Sequence, residues 1–343
     1  MALTLEEIRQ QWLPELDRRI VASCPGSGLV ATMCGYHLGT GGKRLRALLP
    51  VWVCANLGGR PADAVEFGVA LELLHNATLI HDDIQDGDTH RRGKPTVWSQ
   101  WGAPQAINAG DALIFQAMRH FARSPAAAQV VPLVCERMTE LIEGQALDLQ
   151  LQLSKAVHKD GSSSVLPSLE EWMQVARRKT GALFALCFQL GVCAAGVDAQ
   201  WQIHAAEFGI QVGLAFQVAD DLLEFVGEKG RLPGGDLMVG KMSFPVLWAF
   251  DHAKPEDVSI LRRVMHCGRE ATTPDMLKEA LNVLQRCGAI DATKQWLWLA
   301  RKQALEHPMT NVVPGVVHEV VASFAQPTAD MSKPTQREMH YDA

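Results

Sequence analysis

Apolar residues recur at three- and four-residue spacing along most of this 343-residue chain. Segments such as DAVEFGVALELLHNATLIHDDI and DMLKEALNVLQRC show this period, which places their apolar side chains on one face of an α-helix. No stretch alternates apolar and polar residues for long enough to predict a sheet. The chain is therefore expected to be all-α.

Helix starts and stops can also be recognised. Thr4 with Glu7, and Ser168 with Glu171, fit the capping box, and Thr273 precedes a proline that fits the first helical position. Gly288 fits the residue after a helix end.

The polar segment 154–168 is expected to be a surface loop, and the tail 325–343 lacks the apolar residues needed to pack and is expected to be disordered. No linker divides the rest, so residues 1–324 are expected to form one large helical domain.

Composition narrows the class of partner. Hydrophobic residues make up 48% of the chain and charged residues 20%, and the formal net charge is -6, which gives no reason to expect a nucleic acid. The eight cysteines include no C-x-x-C pair, and the N-terminus is too charged for a signal peptide, so a cytoplasmic location with reduced thiols is expected. The longest apolar run, from Gly181, is interrupted and too short to span a membrane.

Two acidic clusters follow apolar helical segments, in HDDIQD and in ADDLLE. Residues four apart share a helix face, so the first and last acid of each cluster can point to one place. Two such faces across a cavity would offer oxygen ligands to Mg²⁺, whose remaining ligands are usually water and phosphate. A solvated acidic helix face is the alternative for either cluster taken alone. The acids are Asp82, Asp83 and Asp86 in the first cluster, and Asp220, Asp221 and Glu224 in the second.

Basic residues suited to a diphosphate accompany the acids. TGGKRLRALLP places Lys43, Arg44 and Arg46 after two glycines and on the expected first turns of an apolar helix, where backbone N–H groups and guanidinium groups favour anions. Arg91 and Arg92 follow the first acidic cluster. The glycine spacing fits neither a P-loop nor a dinucleotide fingerprint, and solvated basic residues at a helix start are the alternative.

From about Thr40 to Ala249 the chain resembles the trans-prenyl diphosphate synthases. DDIQD followed by RRGKPT resembles the family's first aspartate-rich motif, DDLLE resembles the second, and GGKRLR resembles its homoallylic-substrate motif. LLHNATLIHDD, AGDALI, EGQALDL, RRKTGALF and GGDLMVGKMSFP occur in the expected order. The resemblance implies the isoprenoid synthase bundle, with a central active-site cavity. It also implies a magnesium-dependent trans-prenyltransferase that condenses isopentenyl diphosphate with an allylic diphosphate.

The resemblance also implies roles for particular residues, three Mg²⁺ ions with substrate bound, and a homodimer. Glutamate at 224 departs from the aspartate that is commoner there, which leaves its contact with metal open. The implied metal ligands are Asp82, Asp86 and Asp220, with Asp83, Asp221 and Glu224 as additional candidates. The allylic diphosphate is assigned to Arg91, Lys179, Thr180, Gln217 and Lys241, and isopentenyl diphosphate to Lys43, Arg46, His75 and Arg92.

Product length is expected to depend on the side chains below the first acidic cluster. Ala77 and Thr78 lie one turn before Asp82, where relatives that stop at fifteen carbons tend to carry an aromatic residue. Phe115, Met118 and Phe121 follow at three-residue spacing on a later helix, and Phe121 is assigned as the lower floor. The alternative is that these three are ordinary core residues. A product of twenty carbons or more is expected.

Three other functions remain open at this stage: a farnesyl diphosphate synthase, a class I terpene cyclase, and a regulatory subunit of a synthase heteromer. A cyclase would not need a second diphosphate cradle, and a regulatory subunit would be expected to have lost acids or basic residues. No convincing Ser-His-Asp or Cys-His arrangement is recognised, in keeping with chemistry that needs no side-chain nucleophile.

Overall fold

The computed structural model describes residues 2–24, 26–156, 166–226 and 233–321. Most of the expected loop 154–168 and the whole expected tail 325–343 lie outside these residues. The chain divides into two compact units. The first runs to Gln217 and includes Glu306–Val316, and the second comprises Val218–Leu305 and the chain from Val317. The prediction of one domain over 1–324 stays a prediction.

The first unit is built almost entirely from helices. The helix that ends in the first acidic cluster has 25 residues and packs against six other helices of this unit. In chain order the helices are α1 (Leu5–Ala22), α2 (Leu29–Leu38), α3 (Leu45–Asn56), α4 (Pro61–Gln85), α5 (Val97–Trp101), α6 (Ala103–Ala122), α7 (Ala127–Ala156), α8 (Leu169–Ala176), a π-turn (Arg177–Gly181), α9 (Ala182–Ala195), α10 (Gln200–Val226) and, in the returning segment, α16 (Met309–Val312).

The second unit is also helical. The last third of α10 enters it at Val218. Its remaining helices are α11 (Gly235–Met238), α12 (Phe244–His252), α13 (Pro255–Cys267), α14 (Pro274–Arg286) and α15 (Ala289–Glu306), and α17 (Val316–Val321) begins at its border. Within the unit, α13 packs against α14 and α11, and α12 packs against α14.

The helix ends confirm the capping predictions. Thr4 and Ser168 each accept a hydrogen bond from the backbone N–H three residues on, and the glutamate there bonds back to the cap, which completes both capping boxes. The Thr273 hydroxyl caps α14. Gly288, with φ of 86°, follows the end of that helix in the left-handed conformation that favours glycine.

Close packing around α4 places the first acidic cluster. A Cβ on Gly68 of α4 would lie 2.3 Å from the carbonyl oxygen of Ala47 on α3, so only glycine allows the two helices to approach this closely.

In the described part of the chain, strand structure is confined to a hairpin of two short strands, His90–Arg91 and Lys94–Pro95. The Tyr36 hydroxyl donates to the Pro95 carbonyl at 2.8 Å and ties this hairpin to α2.

A Ser-His-Glu chain that the sequence analysis did not recognise connects α1, α4 and α6. Ser23 Oγ lies 2.8 Å from His120 Nε2, and His120 Nδ1 lies 2.5 Å from Glu66 Oε2. The Ser23 hydroxyl donates to the Arg19 carbonyl, and Arg19 forms an ion pair with Glu66. Because Ser23 is buried at a helix end with its proton engaged, this chain joins helices and is not an activated nucleophile.

Among the described helices, none has the length and apolar content needed to cross a membrane.

Candidate active site

The first acidic cluster lies at the carboxyl end of α4, with Asp86 as the C-cap residue. This is the negative end of the helix dipole, where additional carboxylates are unfavourable. Burial raises the pKa of Asp82 to about 6, and Asp86 and Asp83 add to the rise while Lys179 and Arg91 oppose it. Collecting acids at such a position is costly for the protein alone, and a bound cation would relieve that cost.

Within the first acidic cluster, the Asp83 side chain is paired with Arg91. Its side chain is 1% exposed, and its Oδ1 accepts from Arg91 Nε at 2.8 Å and lies 2.7 Å from Arg91 Nη2. Burial raises the pKa of Asp83, against the opposing effect of Arg91. Asp83 therefore holds Arg91 in position on the hairpin.

Lys179 and Thr180 lie on the π-turn, a local widening of the helix that occurs frequently at functional sites. Lys179 Nζ donates to Asp148 Oδ2 at 2.7 Å. Burial by itself would lower the pKa of Lys179, but Asp148 and Asp82 raise it overall, so the ammonium stays charged. Thr180 Oγ1 donates to Gln217 Oε1 at 2.9 Å, which brings together two of the predicted allylic-site residues.

Sequence reasoning missed Asp148 and the glycine that makes room for this turn. A Cβ on Gly144 would lie 2.4 Å from Lys179 N, so α7 can approach the π-turn only with glycine there. Both residues belong to EGQALDL, a motif that was recognised but given no role. In the same motif, Gln145 Nε2 donates to Gln85 Oε1 at 2.8 Å, next to the acidic cluster.

Arg46 and His75, two of the predicted isopentenyl diphosphate ligands, are in contact. Arg46 Nη1 lies 3.3 Å from His75 Nε2, and the guanidinium lies 4.9 Å from the Phe184 ring centroid and is held over that ring. Burial, followed by the charges of Arg46 and Arg92, lowers the pKa of His75 well below its ordinary value. His75 is therefore neutral at physiological pH, so any positive charge of the predicted isopentenyl diphosphate site comes from Arg46, Arg92 and Lys43.

The sequence pattern predicted Lys43 and Arg44 on the first turns of a helix. The structure corrects this, because α3 begins only at Leu45. Lys43 is exposed. Arg44 has φ of 52° and points into the protein, where Nε donates to Asp17 at 2.9 Å, Nη1 to Glu72 at 3.0 Å and Nη2 to the Leu38 carbonyl at 3.0 Å. Arg44 thus anchors the loop that presents Lys43.

Arg92 connects the hairpin to the same glycine loop. Its Nη1 donates to the Gly41 carbonyl and lies 3.4 Å from Thr40 Oγ1. A Cβ on Gly42 would lie 3.1 Å from the Arg92 guanidinium nitrogens, so the loop passes close to that side chain. The structure therefore brings Arg92 to the loop of Lys43, and places Arg46 beside His75.

The second acidic cluster belongs to the second unit, whereas the contacts described so far lie within the first. Asp221 is 1% exposed; it accepts from the Phe244 backbone N–H at 2.9 Å and lies 3.5 Å from Lys241 Nζ. Lys241 Nζ is also 3.2 Å from Asp236, an acid that sequence reasoning did not assign. Burial would lower the pKa of Lys241, but Asp221, Asp236 and Asp220 raise it above its ordinary value. Asp220 is exposed and Glu224 half-buried, so these two are the accessible acids of the cluster.

The predicted length-determining residues differ in their environments. Ala77 is fully buried on α4, and the neighbouring Thr78 hydroxyl donates to the His75 carbonyl at 2.8 Å. Phe121 is fully buried, with its ring centroid 6.3 Å from that of Phe67. Phe115 is 70% exposed, so the alternative that Phe115, Met118 and Phe121 are all ordinary core residues is wrong for Phe115. A separation of six residues turns about 240° around a helix, which puts the two rings on different sides.

Comparison with known proteins identifies the family of the chain. Residues 27–284 match the family model described as polyprenyl synthetase. A geranylgeranyl diphosphate synthase of Mycobacterium tuberculosis is 36% identical over 261 residues, which cover 72% of each chain. A short chain isoprenyl diphosphate synthase of Methanothermobacter thermautotrophicus is 34% identical over 262 residues, 74% of this chain and 76% of the relative. Farnesyl diphosphate synthases are also among the relatives, at 34% identity over 233 residues.

A solved structure extends the likeness to the fold. The geranylgeranyl pyrophosphate synthetase of Pyrococcus horikoshii has a TM-score of 0.81 and 28% identity, and the match covers 94% of this chain and 98% of that one. The predicted all-α isoprenoid synthase fold and the predicted prenyltransferase class are confirmed. The chain belongs to the polyprenyl synthetase family.

Proposed function

We propose that this protein condenses isopentenyl diphosphate with an allylic diphosphate, head to tail and in trans geometry, to give a polyprenyl diphosphate of twenty carbons or more. The observation that carries the proposal is the meeting of Asp82 and Asp86 at the end of α4 with Lys179, which Asp148 holds from a third helix. Acids that need a cation, next to a fixed ammonium group, suit a substrate that carries a metal-bound diphosphate.

Mg²⁺ fits this donor set. Asp82 and Asp86 offer hard carboxylate oxygens at a helix end where negative charge is otherwise destabilising. In the second unit, the exposed Asp220 is the assigned ligand, with Glu224 as an additional candidate, whereas Asp221 is engaged by Lys241 and the Phe244 amide. Three ions are proposed with substrate bound. When bound, they would neutralise the negative charge that develops on the departing diphosphate.

The protein's own groups bind the two diphosphates in separate cradles. Arg91, Lys179 and Lys241 donate to the allylic diphosphate, and each is already oriented by a carboxylate, namely Asp83, Asp148 or Asp221. The hydroxyl of Thr180 and the amide oxygen of Gln217 face the allylic cation formed when the C–O bond breaks. Lys43, Arg46, His75 and Arg92 hold isopentenyl diphosphate.

The double bond of isopentenyl diphosphate attacks the allylic carbon, a carbon–carbon bond forms, and a proton then leaves to the released diphosphate. No side-chain nucleophile takes part. Pre-oriented cations in a site closed to water stabilise developing charge far better than water does.

Incubating the full chain with labelled isopentenyl diphosphate, Mg²⁺ and each allylic primer tests the reaction. Elongated diphosphates are expected. Hydrocarbon products would indicate a terpene cyclase, and activity only after a partner is added would indicate a regulatory subunit; either result would overturn the proposal.

The Asp82→Ala substitution should lower turnover by about 100-fold or more with the melting temperature retained. Asp63→Ala, at the exposed first turn of the same helix, is the matched control and should leave turnover unchanged. Near-normal turnover of Asp82→Ala would remove the proposed metal role.

Separate cradles predict separate kinetic effects. Lys43→Ala or Arg46→Ala should raise KM for isopentenyl diphosphate more than KM for the allylic primer, because these residues belong to one cradle only. Arg60→Ala, an exposed arginine outside both cradles, is the control. Equal increases in both constants would contradict the division.

Product length is proposed from Ala77 and Phe121. Ala77 is a small, fully buried side chain one turn below the first acids, where we propose that a growing chain passes, and the buried Phe121 is the proposed lower floor. Ala77→Phe should shorten the product, and Phe121→Ala should lengthen it, as read by chromatography of the dephosphorylated alcohols. A wild-type product of fifteen carbons would favour the farnesyl alternative, and an unchanged length in Ala77→Phe would refute the channel.

A homodimer is proposed because α6 and α7, which pack together, expose large apolar side chains. Ile107, Phe115 and Ile142 are 47%, 70% and 61% exposed. Such residues on adjacent helices are typical of a surface that a partner covers. Light scattering should show a dimer for wild type and a monomer for Phe115→Asp, and a wild-type monomer at micromolar concentration would contradict the proposal.

A cytoplasmic location is also proposed, because all eight cysteines are free thiols, which is typical of a reducing compartment.

A further inference from the structure

A cluster of metal-ligating side chains lies in the first unit, on residues that the condensation does not use. His204 and Glu207 are one turn apart near the start of α10, and His307 follows directly after α15. One ligand atom from each residue lies within 4.8 Å of the others. His307 Nε2 and Glu207 Oε2 lie 3.8 Å apart.

Aromatic neighbours fix both imidazoles. The His307 ring stacks on Phe208, with centroids 5.1 Å apart, and meets His204 edge to face at 5.6 Å. Trp201 packs edge to face on the other ring at 5.9 Å. Rings held in this way lose little freedom when they take up a ligand, so the site is largely preorganised.

His204 presents a polar atom that needs a partner. Its Nδ1 is buried, and within the described residues it has no hydrogen-bond partner. A buried nitrogen without a partner is unusual in a folded protein, and a bound ion is one of its ordinary explanations.

The chemistry of the three side chains suits a cation. Imidazole binds metal in its neutral form, and the carboxylate supplies a negative ligand.

We propose that His204, Glu207 and His307 bind a Zn²⁺-class transition-metal ion, with water as the fourth ligand. Two imidazoles and one carboxylate are an established zinc ligand set, whereas Mg²⁺ prefers oxygen ligands only. Ligands around tetrahedral zinc lie about 3.4 Å apart, so the cluster must contract slightly. Glu207 is 59% exposed, so its carboxylate can move toward the rings, whereas a closer approach of the two imidazoles needs a small shift of the rings themselves.

Binding at His307 Nε2 requires the proton on Nδ1, which now accepts from the Met309 N–H at 3.2 Å. The Met309 N–H then loses its acceptor and faces a second N–H donor, so the His307 ring or the Met309 backbone must shift slightly to separate the two. The ion would fasten the segment Glu306–Val316 to α10. Asn56 of α3 already holds the same segment, because its Nδ2 donates to the Val312 carbonyl at 2.7 Å.

The test titrates ZnCl₂ into the full chain with MgCl₂ in excess, so that the acidic clusters are occupied by magnesium. Metal content, melting temperature and the visible spectrum of the Co²⁺-substituted protein are measured for wild type, Glu207→Gln and His307→Gln. His266→Gln removes an exposed imidazole outside the cluster and is the matched control. Because Glu207 is exposed, Glu207→Gln should retain the native circular dichroism.

Wild type and His266→Gln should bind one zinc per chain that raises the melting temperature, and Co²⁺ should give the intense bands of four-coordination. Both cluster variants should lose that zinc, with the affinity for zinc reduced more than about 100-fold. Loss of a direct ligand should weaken zinc binding more than loss of a residue that only hydrogen-bonds to a ligand. Equal zinc content and an equal temperature rise in wild type and both cluster variants would overturn the proposal, as would a wild type that binds no zinc.

Discussion

The buried ion pair between Arg44 and Glu72 allows a quantitative test of how the glycine loop is held. The two side chains are 7% and 4% exposed and lie 3.0 Å apart. Replacing Arg44 by methionine keeps much of the side-chain length but leaves the Glu72 carboxylate buried without its cation. Breaking a buried pair in this way costs about 3–5 kcal/mol.

The structure places the expected loss at the lower end of that range, about 3 kcal/mol. Glu72 keeps the Asn76 Nδ2 hydrogen bond at 3.3 Å, which partly compensates the lost arginine. Arg60→Met is the matched control, because Arg60 and its partner Asp63 are 81% and 45% exposed. An exposed pair contributes less than about 1 kcal/mol.

The assay is denaturant unfolding at neutral pH for Arg44→Met, Glu72→Met, the double variant and Arg60→Met. The double variant should recover much of the stability lost by Arg44→Met, since two apolar side chains can replace a buried ion pair without leaving a buried charge. If Arg44→Met destabilises no more than Arg60→Met, Arg44 is not the buried anchor described above.

Two further predictions concern the site, and a third concerns stability. Gly144→Ala should lower turnover because its Cβ would lie 2.4 Å from Lys179 N, whereas Gly35→Ala, whose Cβ would be no closer than 3.9 Å to its neighbours, should not; equal kinetics would contradict the role of this close approach. Asp148→Asn should lower kcat by at least about tenfold with primer in excess, because Lys179 loses the carboxylate that orients it, and unchanged steady-state kinetics would refute this.

His37 should make stability fall in acid. Burial, with Arg91 and Arg92, lowers its pKa from 6.5 to about 3, so between these values only the unfolded state binds the proton. Between pH 6.5 and about 3, His37 should lower the free energy of unfolding by about 1.4 kcal/mol for each unit by which the pH falls. His37→Gln should reduce that slope in denaturant titrations at several pH values, and equal slopes would show that His37 is not the cause.

The sequence by itself determined those features that depend on neighbours a few residues away. Helix geometry alone puts Asp82 and Asp86 on one face, and the side-chain chemistry of Thr4 and Ser168 with their glutamates is sufficient to place two helix starts. Motifs in a fixed order then indicated the family, which the comparisons confirmed.

The tertiary structure decided which groups meet across long separations in the chain. Lys179 finds Asp148 31 residues away, and Arg44, which looks equivalent to Lys43 in the sequence, turns inward to Glu72. Phe115 and Phe121 share a spacing pattern but not an environment, since one is 70% exposed and the other is buried. Local periodicity fixes where a side chain lies on its helix. Whether that face meets an acid, a ring or solvent depends on how the helices pack, and that depends on residues far away in the chain.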